Sequence, residues 1–268
     1  EERHEYDYHI EANLRTIALL EPIAARIAAD DPRVRAMAEV TRARVVLVGE
    51  SPDAEVRATD VILDEGGRPR FTVVAPFGTA EVSLPLVGRH HVGNALAVIA
   101  AAQACGLDLE TIVAALVGAR PASRWRMEVT ERADGVRVVN DAYNANPDSM
   151  AAALRALAAM SATGRRVAVL GSMLELGEES PALHRGVGEL AGELGVDAVV
   201  AVGDLAVDIA DGARAAGVAD VDHVSDVDAA EELLRARLAG GDVVLLKSSR
   251  DAGLRWLGDR LIETEVAP

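Results

Sequence analysis

Apolar and polar positions follow two regimes along this chain. Before residue 120, short apolar runs at period two predict strands over 44–48, 57–63, 71–74 and 80–84, with Gly66-Gly67 and Pro76-Phe77-Gly78 turning the chain between them. Two helices follow, a buried one over 92–103 and a second over 109–116, and Gly118 and Pro121 break the pattern into an expected hinge over 118–124. From residue 125 strands and helices alternate. Strands are expected over 136–139, 167–170, 198–202, 223–224 and 243–246, and helices over 150–160, 181–194, 205–215, 229–238 and 253–262. In the second of these helices Leu183, Val187, Leu190, Ala191 and Leu194 share one face, with Ser180 and Pro181 starting it and Gly195 stopping it. Such alternation predicts an α/β, Rossmann-like domain whose mostly parallel sheet is covered on both faces. Ahead of all this, Ile10, Leu14, Ile17, Leu20 and Ile23 predict an amphipathic helix ending at Ala29-Asp30-Asp31-Pro32.

Composition narrows the function classes. The chain has 268 residues, enough for two domains, and only 3% are aromatic, so the cores are aliphatic and alanine-rich. Its net charge of −16 and pI near 4.8 argue against nucleic acid and against anionic membrane surfaces as partners. An anionic substrate therefore needs locally placed arginines. The single Cys105 excludes an intrachain disulfide and reads as a small buried residue. The start, Glu1-Glu2-Arg3-His4-Glu5, is no signal peptide, and the longest apolar run, 95–102, is too short to span a bilayer. The expectation is a cytoplasmic, monomeric protein. His4 and His9, five apart, do not share a helix face well and read as part of a solvated surface, with no metal site expected.

One segment concentrates the chemistry: Asp141-Ala142-Tyr143-Asn144-Ala145-Asn146-Pro147-Asp148-Ser149-Met150. It follows an apolar strand and leads into a helix on which Met150, Leu154 and Leu157 share a face, with Asn146 as N-cap and Pro147 in the first turn. It is a strand-to-helix turn at the carboxyl end of a strand, where open α/β sheets bind ligands. Read by itself, it describes a well-capped surface turn equally well. In a parallel sheet, however, every strand ends on one edge. The turns 141–146, 171–175, 203–204 and 247–250 are therefore expected to converge. Lys247-Ser248-Ser249-Arg250 brings two cations and two hydroxyls to that edge, a set suited to a carboxylate or phosphate, with Arg250 able to bind it bidentately. A pair of capping serines flanked by surface cations is the plainer alternative.

The decapeptide resembles the motif that opens the C-terminal domain of the Mur ligases. Three further stretches are similar to that family in order and spacing. These are Gly88-Arg89-His90-His91-Val92-Gly93-Asn94-Ala95-Leu96-Ala97, Arg126-Met127-Glu128, and Gly171-Ser172-Met173-Leu174-Glu175-Leu176-Gly177 with His184 after it. The last resembles the branch that adds D-alanyl-D-alanine. The resemblance covers roughly 29–262. It implies an amphipathic helix of separate origin over 1–28, part of a central ATPase-type domain over 29–120 and a C-terminal domain over 121–268.

The activity implied is ATP-dependent addition of D-alanyl-D-alanine to UDP-N-acetylmuramoyl-tripeptide in peptidoglycan precursor synthesis, through an acyl phosphate, with Mg2+. By the same resemblance His90 and Asn94 lie at the adenine, Arg126 reaches ATP, and Asp141 binds its ribose. Tyr143, Asn144, Asn146, Glu175, Lys247, Ser249 and Arg250 line the substrate site, Glu175 and His184 form a polar pair near the dipeptide, and Lys247 and Arg250 hold its carboxylate. No catalytic residue is assigned. In the family asparagine is commoner where His91 stands, and glycine is usual where Ser248 stands.

Lys247 is the only lysine, and no Gly-Lys-Ser or Gly-Lys-Thr is present, so nothing here reads as a P-loop. In the family such a loop, a metal-binding glutamate and a modified lysine precede the matched region. The chain is expected to be the later half of an enzyme and inactive alone. Alternatives are a sister ligase adding a single amino acid, against which Asn144-Ala145-Asn146-Pro147 and Glu175 speak, or a non-catalytic binding module using 1–28 as a partner helix.

Overall fold

A computed structural model of the chain describes residues 25–28, 30, 32–41, 43–120 and 123–263. The amphipathic reading of the first residues and the His4/His9 pair lie outside the described residues, except for 25–28. The described chain forms two compact units, one comprising residues up to Asp64 with Arg68–Arg120, the other Glu65–Gly67 with the residues after 120.

The first unit holds β1 (Ala25–Ala28), α1 (Pro32–Ala36), β2 (Val45–Gly49), β3 (Val56–Leu63), β4 (Pro69–Ala75), β5 (Gly78–Ser83), α2 (His91–Ala104) and α3 (Leu109–Val117). Its five strands lie in chain order; β1, β2 and β3 run parallel, and β3 to β5 form an antiparallel meander. Val48, Val56, Phe71, Val73 and Val82 of the sheet pack with Leu96 and Ile99 of α2 and Ile112 of α3.

Three expectations fail here. Ala25–Ala28 is a strand, because it pairs residue by residue with 45–48; four residues of Ala-Arg-Ile-Ala carry no periodicity able to tell the two states apart. Helix α2 is not buried all round: Val92, Ala95, Leu96, Ile99 and Ala100 are covered, whereas Asn94 and Val98 are exposed. Alanines on both faces hide that contrast in the sequence. Cys105 is exposed, since it sits at the C-cap, beyond the helix turns that touch the sheet.

The second unit holds β6 (Glu128–Glu131), β7 (Arg137–Asn140), α4 (Pro147–Ala159), β8 (Arg166–Gly171), α5 (Ser180–Glu193), β9 (Ala198–Val202), α6 (Val207–Ala215), β10 (Asp220–Val224), α7 (Val227–Arg237), β11 (Val243–Lys247) and α8 (Leu254–Ile262). The expected βα alternation is present. Every residue of β9 and β11 is buried, as continuous apolar strands between two helix layers must be. Strand order is β10-β9-β8-β11-β7-β6, parallel except for β6, an antiparallel edge strand that the sequence reading did not anticipate. The chain runs outward from β8 to β10 and then returns to insert β11 between β8 and β7. The order therefore reverses beside β11, and in open α/β sheets the crevice at such a reversal is the ligand site.

Candidate functional site

The turns after β7, β8 and β11, the three strands at the reversal, are joined by hydrogen bonds. Asp141 N–H donates to the Leu246 carbonyl (2.9 Å), and Ser249 N–H to the Ser172 carbonyl (2.9 Å). The Leu174 N–H donates to Ser249 Oγ (3.0 Å). Gly171 makes this junction possible: an added Cβ would lie 2.7 Å from Ser248 Cβ, closer than real side chains approach. Ser248 fills the space that the glycine leaves.

Lys247 departs from its expected role. Its ammonium lies 2.7 Å from Asp141 Oδ2 and 3.0 Å from the Asn144 carbonyl, and only 3% of its side chain is exposed. It is a buried clamp on the 141–144 turn, not an open carboxylate receptor. Ser249 is likewise buried, its hydroxyl occupied by Leu174. Arg250 is left open at this edge: it is exposed, and its guanidinium makes no hydrogen bond or ion pair among the described residues.

Arg126 is presented by an unusual turn. Among the described residues four non-glycines have left-handed φ, and three belong to this edge: Trp125 (+59°), Met127 (+48°) and Glu175 (+64°). Each such residue costs roughly 1–3 kcal/mol and persists only where its surroundings over-determine it. Here they do. Met127 N–H donates to Asp141 Oδ1 (3.0 Å), Tyr143 N–H to the Trp125 carbonyl (3.2 Å), and Trp125 N–H to Glu128 (3.0 Å). The Trp125 indole donates to Asp259 (3.2 Å) and meets Trp256 edge-on with ring centroids 5.0 Å apart. The exposed Arg126 guanidinium then stacks 4.5 Å from the centre of the half-buried Tyr143 ring. Nothing in the pattern of residues 124–128 announced this turn or the part played by Trp125 and Asp259; only contacts with distant residues create it.

The remaining expected residues are close by in the fold. Asn146 spends its side-chain oxygen on capping α4, accepting from Ser149 N–H (2.8 Å) in a reciprocal capping box, and Asn144 is exposed. Glu175 is exposed, and no hydrogen bond or ion pair engages its carboxylate among the described residues. The expected Glu175–His184 pair is absent. His184 is fully buried with both ring nitrogens bonded to its own helix and to the Met173 backbone. The turn at 203–204 ends β9 on the same edge, and His223 lies 3.0 Å from the Gly203 carbonyl.

His90 and Asn94 stand on the first unit, at the start of α2. His90 is exposed, and its ring lies against Gly88, whose added Cβ would come within 2.5 Å of it. Asn94 is exposed one turn further on, and its side-chain amide makes no hydrogen bond among the described residues, leaving a donor and an acceptor for a planar ligand edge. Between them His91 is half-buried, and burial first, then the neighbouring His90, pushes its imidazole down to about 4.

Comparison with known proteins places these observations. Residues 10–102 match the Mur ligase middle domain, and residues 125–250 match the Mur ligase glutamate ligase domain. The chain belongs to the Mur ligase family. All four motifs lie inside the matched Mur ligase regions, and the first match reaches back to residue 10, ahead of the point where the sequence reading met the family. The UDP-N-acetylmuramoyl-tripeptide--D-alanyl-D-alanine ligase of Mycobacterium tuberculosis is 48% identical over 257 residues, 89% of this chain and 50% of that protein. MurF from Acinetobacter baumannii is 29% identical with a TM-score of 0.81, over 91% of this chain and 52% of its own. The MurF ligase of Thermotoga maritima, solved with ADP, is 23% identical with a TM-score of 0.78 over 95% of this chain and 56% of its own, a likeness of fold. This Mur ligase chain spans about half the length of the curated relatives it matches.

Proposed function

We propose that the chain is the part of an ATP-dependent amide ligase that receives the amine donor, and that the reaction joins D-alanyl-D-alanine to UDP-N-acetylmuramoyl-tripeptide in peptidoglycan precursor synthesis. One observation carries this reading. Glu175 and Arg250, an exposed carboxylate and an exposed guanidinium, each stand one residue from the Leu174–Ser249 hydrogen bond. A dipeptide is a zwitterion, and a fixed anion and cation at one edge match its two ends.

In this reading Arg250 takes the dipeptide carboxylate in its planar fork, and Glu175 holds the amine and accepts its proton as it attacks. Tyr143, Asn144 and Asn146 border the same turn. Lys247 and Ser249 act through the backbone they hold. On the first unit Asn94, with His90 beside it, suits an adenine edge; on the second, the Arg126 guanidinium suits phosphate, and Asp141 keeps for a ribose hydroxyl the lone pairs that Met127 and Lys247 leave free. ATP supplies the phosphoryl group that activates the acceptor carboxylate. Among the described residues no three His, Cys, Asp or Glu side chains form a cluster able to hold a metal, so magnesium is assigned to no side chain here. No helix among the described residues is long and apolar enough to cross a membrane.

Calorimetric titration of the chain with D-alanyl-D-alanine, D-alanine and diaminopimelate tests the proposal. The dipeptide binds most tightly, and Arg250→Ala weakens it about tenfold or more. Equal response to a single amino acid overturns the assignment.

A further inference from the structure

Two consecutive amides in the turn after β8 are taken by side chains from two different elements. Met173 N–H donates to Nε2 of His184, on α5, at 2.9 Å; Leu174 N–H donates to Ser249, after β11, at 3.0 Å. The His184 ring is fully buried, and its Nδ1 lies 2.7 Å from the Ser180 carbonyl oxygen and 3.2 Å from Ser180 Oγ. A carbonyl can only accept, so Nδ1 carries the hydrogen; an amide N–H can only donate, so Nε2 is bare. Both nitrogens are committed, which holds the imidazole as the neutral Nδ1–H form in one orientation. No ring atom is left to meet a substrate. What the ring fixes is backbone, and the next residue but one is Glu175, in a left-handed conformation with its carboxylate exposed.

We infer that His184 is a positioning residue. It ties the 173–175 backbone to the first turns of α5, and with Ser249 it sets the direction in which Glu175 presents its carboxylate to the amine donor. The donor's identity rests on the function proposed above; the tether rests on the hydrogen bonds alone. A histidine that merely filled space in the core would stabilise the unit without orienting Glu175, and the two roles respond differently to substitution. Glutamine at 184 places its side-chain oxygen where Nε2 stands and keeps an acceptor for Met173. Asparagine keeps a donor for Ser180 but falls short of Met173.

Long-range proton–nitrogen spectra of the 15N-labelled chain, with amide exchange, test this. His184 shows the Nδ1–H form, and the Met173 amide exchanges slowly. In His184→Asn that exchange accelerates about tenfold or more and affinity for D-alanyl-D-alanine falls by a similar factor; in His184→Gln both stay within about twofold of the unaltered chain. An Nε2–H form, slow Met173 exchange in His184→Asn, or unaltered dipeptide affinity in that variant overturns the inference. So does equal failure of the Gln and Asn variants. Should the unaltered chain ignore the dipeptide, the proposed function falls and the donor-facing half of this inference with it, while Met173 exchange still decides the tether.

Discussion

The Lys247 ammonium lies 2.7 Å from the Asp141 carboxylate, 106 residues away in sequence, with 3% and 15% of the two side chains exposed. Asp141 also accepts Met127 N–H through its other oxygen. One buried ion pair therefore links β11, the turn after β7 and the turn that presents Arg126.

Removing one partner of such a pair leaves an uncompensated charge, which is the expensive case. Lys247→Met is expected to destabilise the second unit by about 3 kcal/mol. Adding Asp141→Asn to it should recover part of the loss, because no buried charge then remains. Denaturant unfolding followed by the fluorescence of Trp125 and Trp256, both in this unit, measures both effects. A loss below about 1 kcal/mol in the single variant would contradict the clamp.

Gly171 leaves room for Ser248, and an alanine there must push the ends of β8 and β11 apart. Gly171→Ala is expected to cost about 1–3 kcal/mol and to weaken dipeptide binding. Pairing it with Ser248→Gly, which removes the opposing Cβ, should restore most of the stability in a thermal melt.

Glu175 combines a strained backbone with a proposed binding charge, and two substitutions separate them. Glu175→Gly suits φ +64° and should leave stability within about 1 kcal/mol of the unaltered chain or raise it, while dipeptide affinity falls. Glu175→Gln should lose affinity with the backbone unchanged. Calorimetry that finds the glycine variant binding normally removes the carboxylate from the site.

His91 titrates at about 4 in the folded chain, against an ordinary histidine value of about 6.5. Between these values the unfolded chain takes up a proton that the folded chain refuses. Its contribution to the stability of the first unit is thus complete above about pH 6.5 and is lost as pH falls toward 4. NMR titration of the ring reads the value directly. In His91→Gln the protection of the Leu96 and Ile99 amides should lose its pH slope over that window.

The only lysine is buried in an ion pair, so no lysine of these 268 residues can reach a triphosphate. The isolated chain is expected to show no micromolar affinity for ATP with Mg2+ and no turnover. Isothermal titration decides it, and tight binding would mean that arginines alone grip the phosphates.

Much of this could be read from residue order. Period-two and helical repeats placed nearly every element of the second unit, since continuous apolar strands alternating with amphipathic helices leave few other arrangements. Asn146-Pro147 located the start of α4 through local chemistry, and the rule that parallel strands end together predicted that Tyr143 and Ser249 would share an edge. The four motifs carried the family for the same reason: each is a short local signal.

The tertiary structure decided the rest. Periodicity states which way a side chain points, not which strand lies beside it, so the insertion of β11 between β7 and β8 was invisible, and with it the fate of Lys247. Sequence alone marked that lysine as an open cation, and only the fold brought Asp141 and Asn144 close enough to bury it. The same holds for Trp125, Met127 and His184. Their conformations are set by hydrogen bonds and contacts to groups that folding brings together, and no local preference of a tryptophan, methionine or histidine encodes a partner's position.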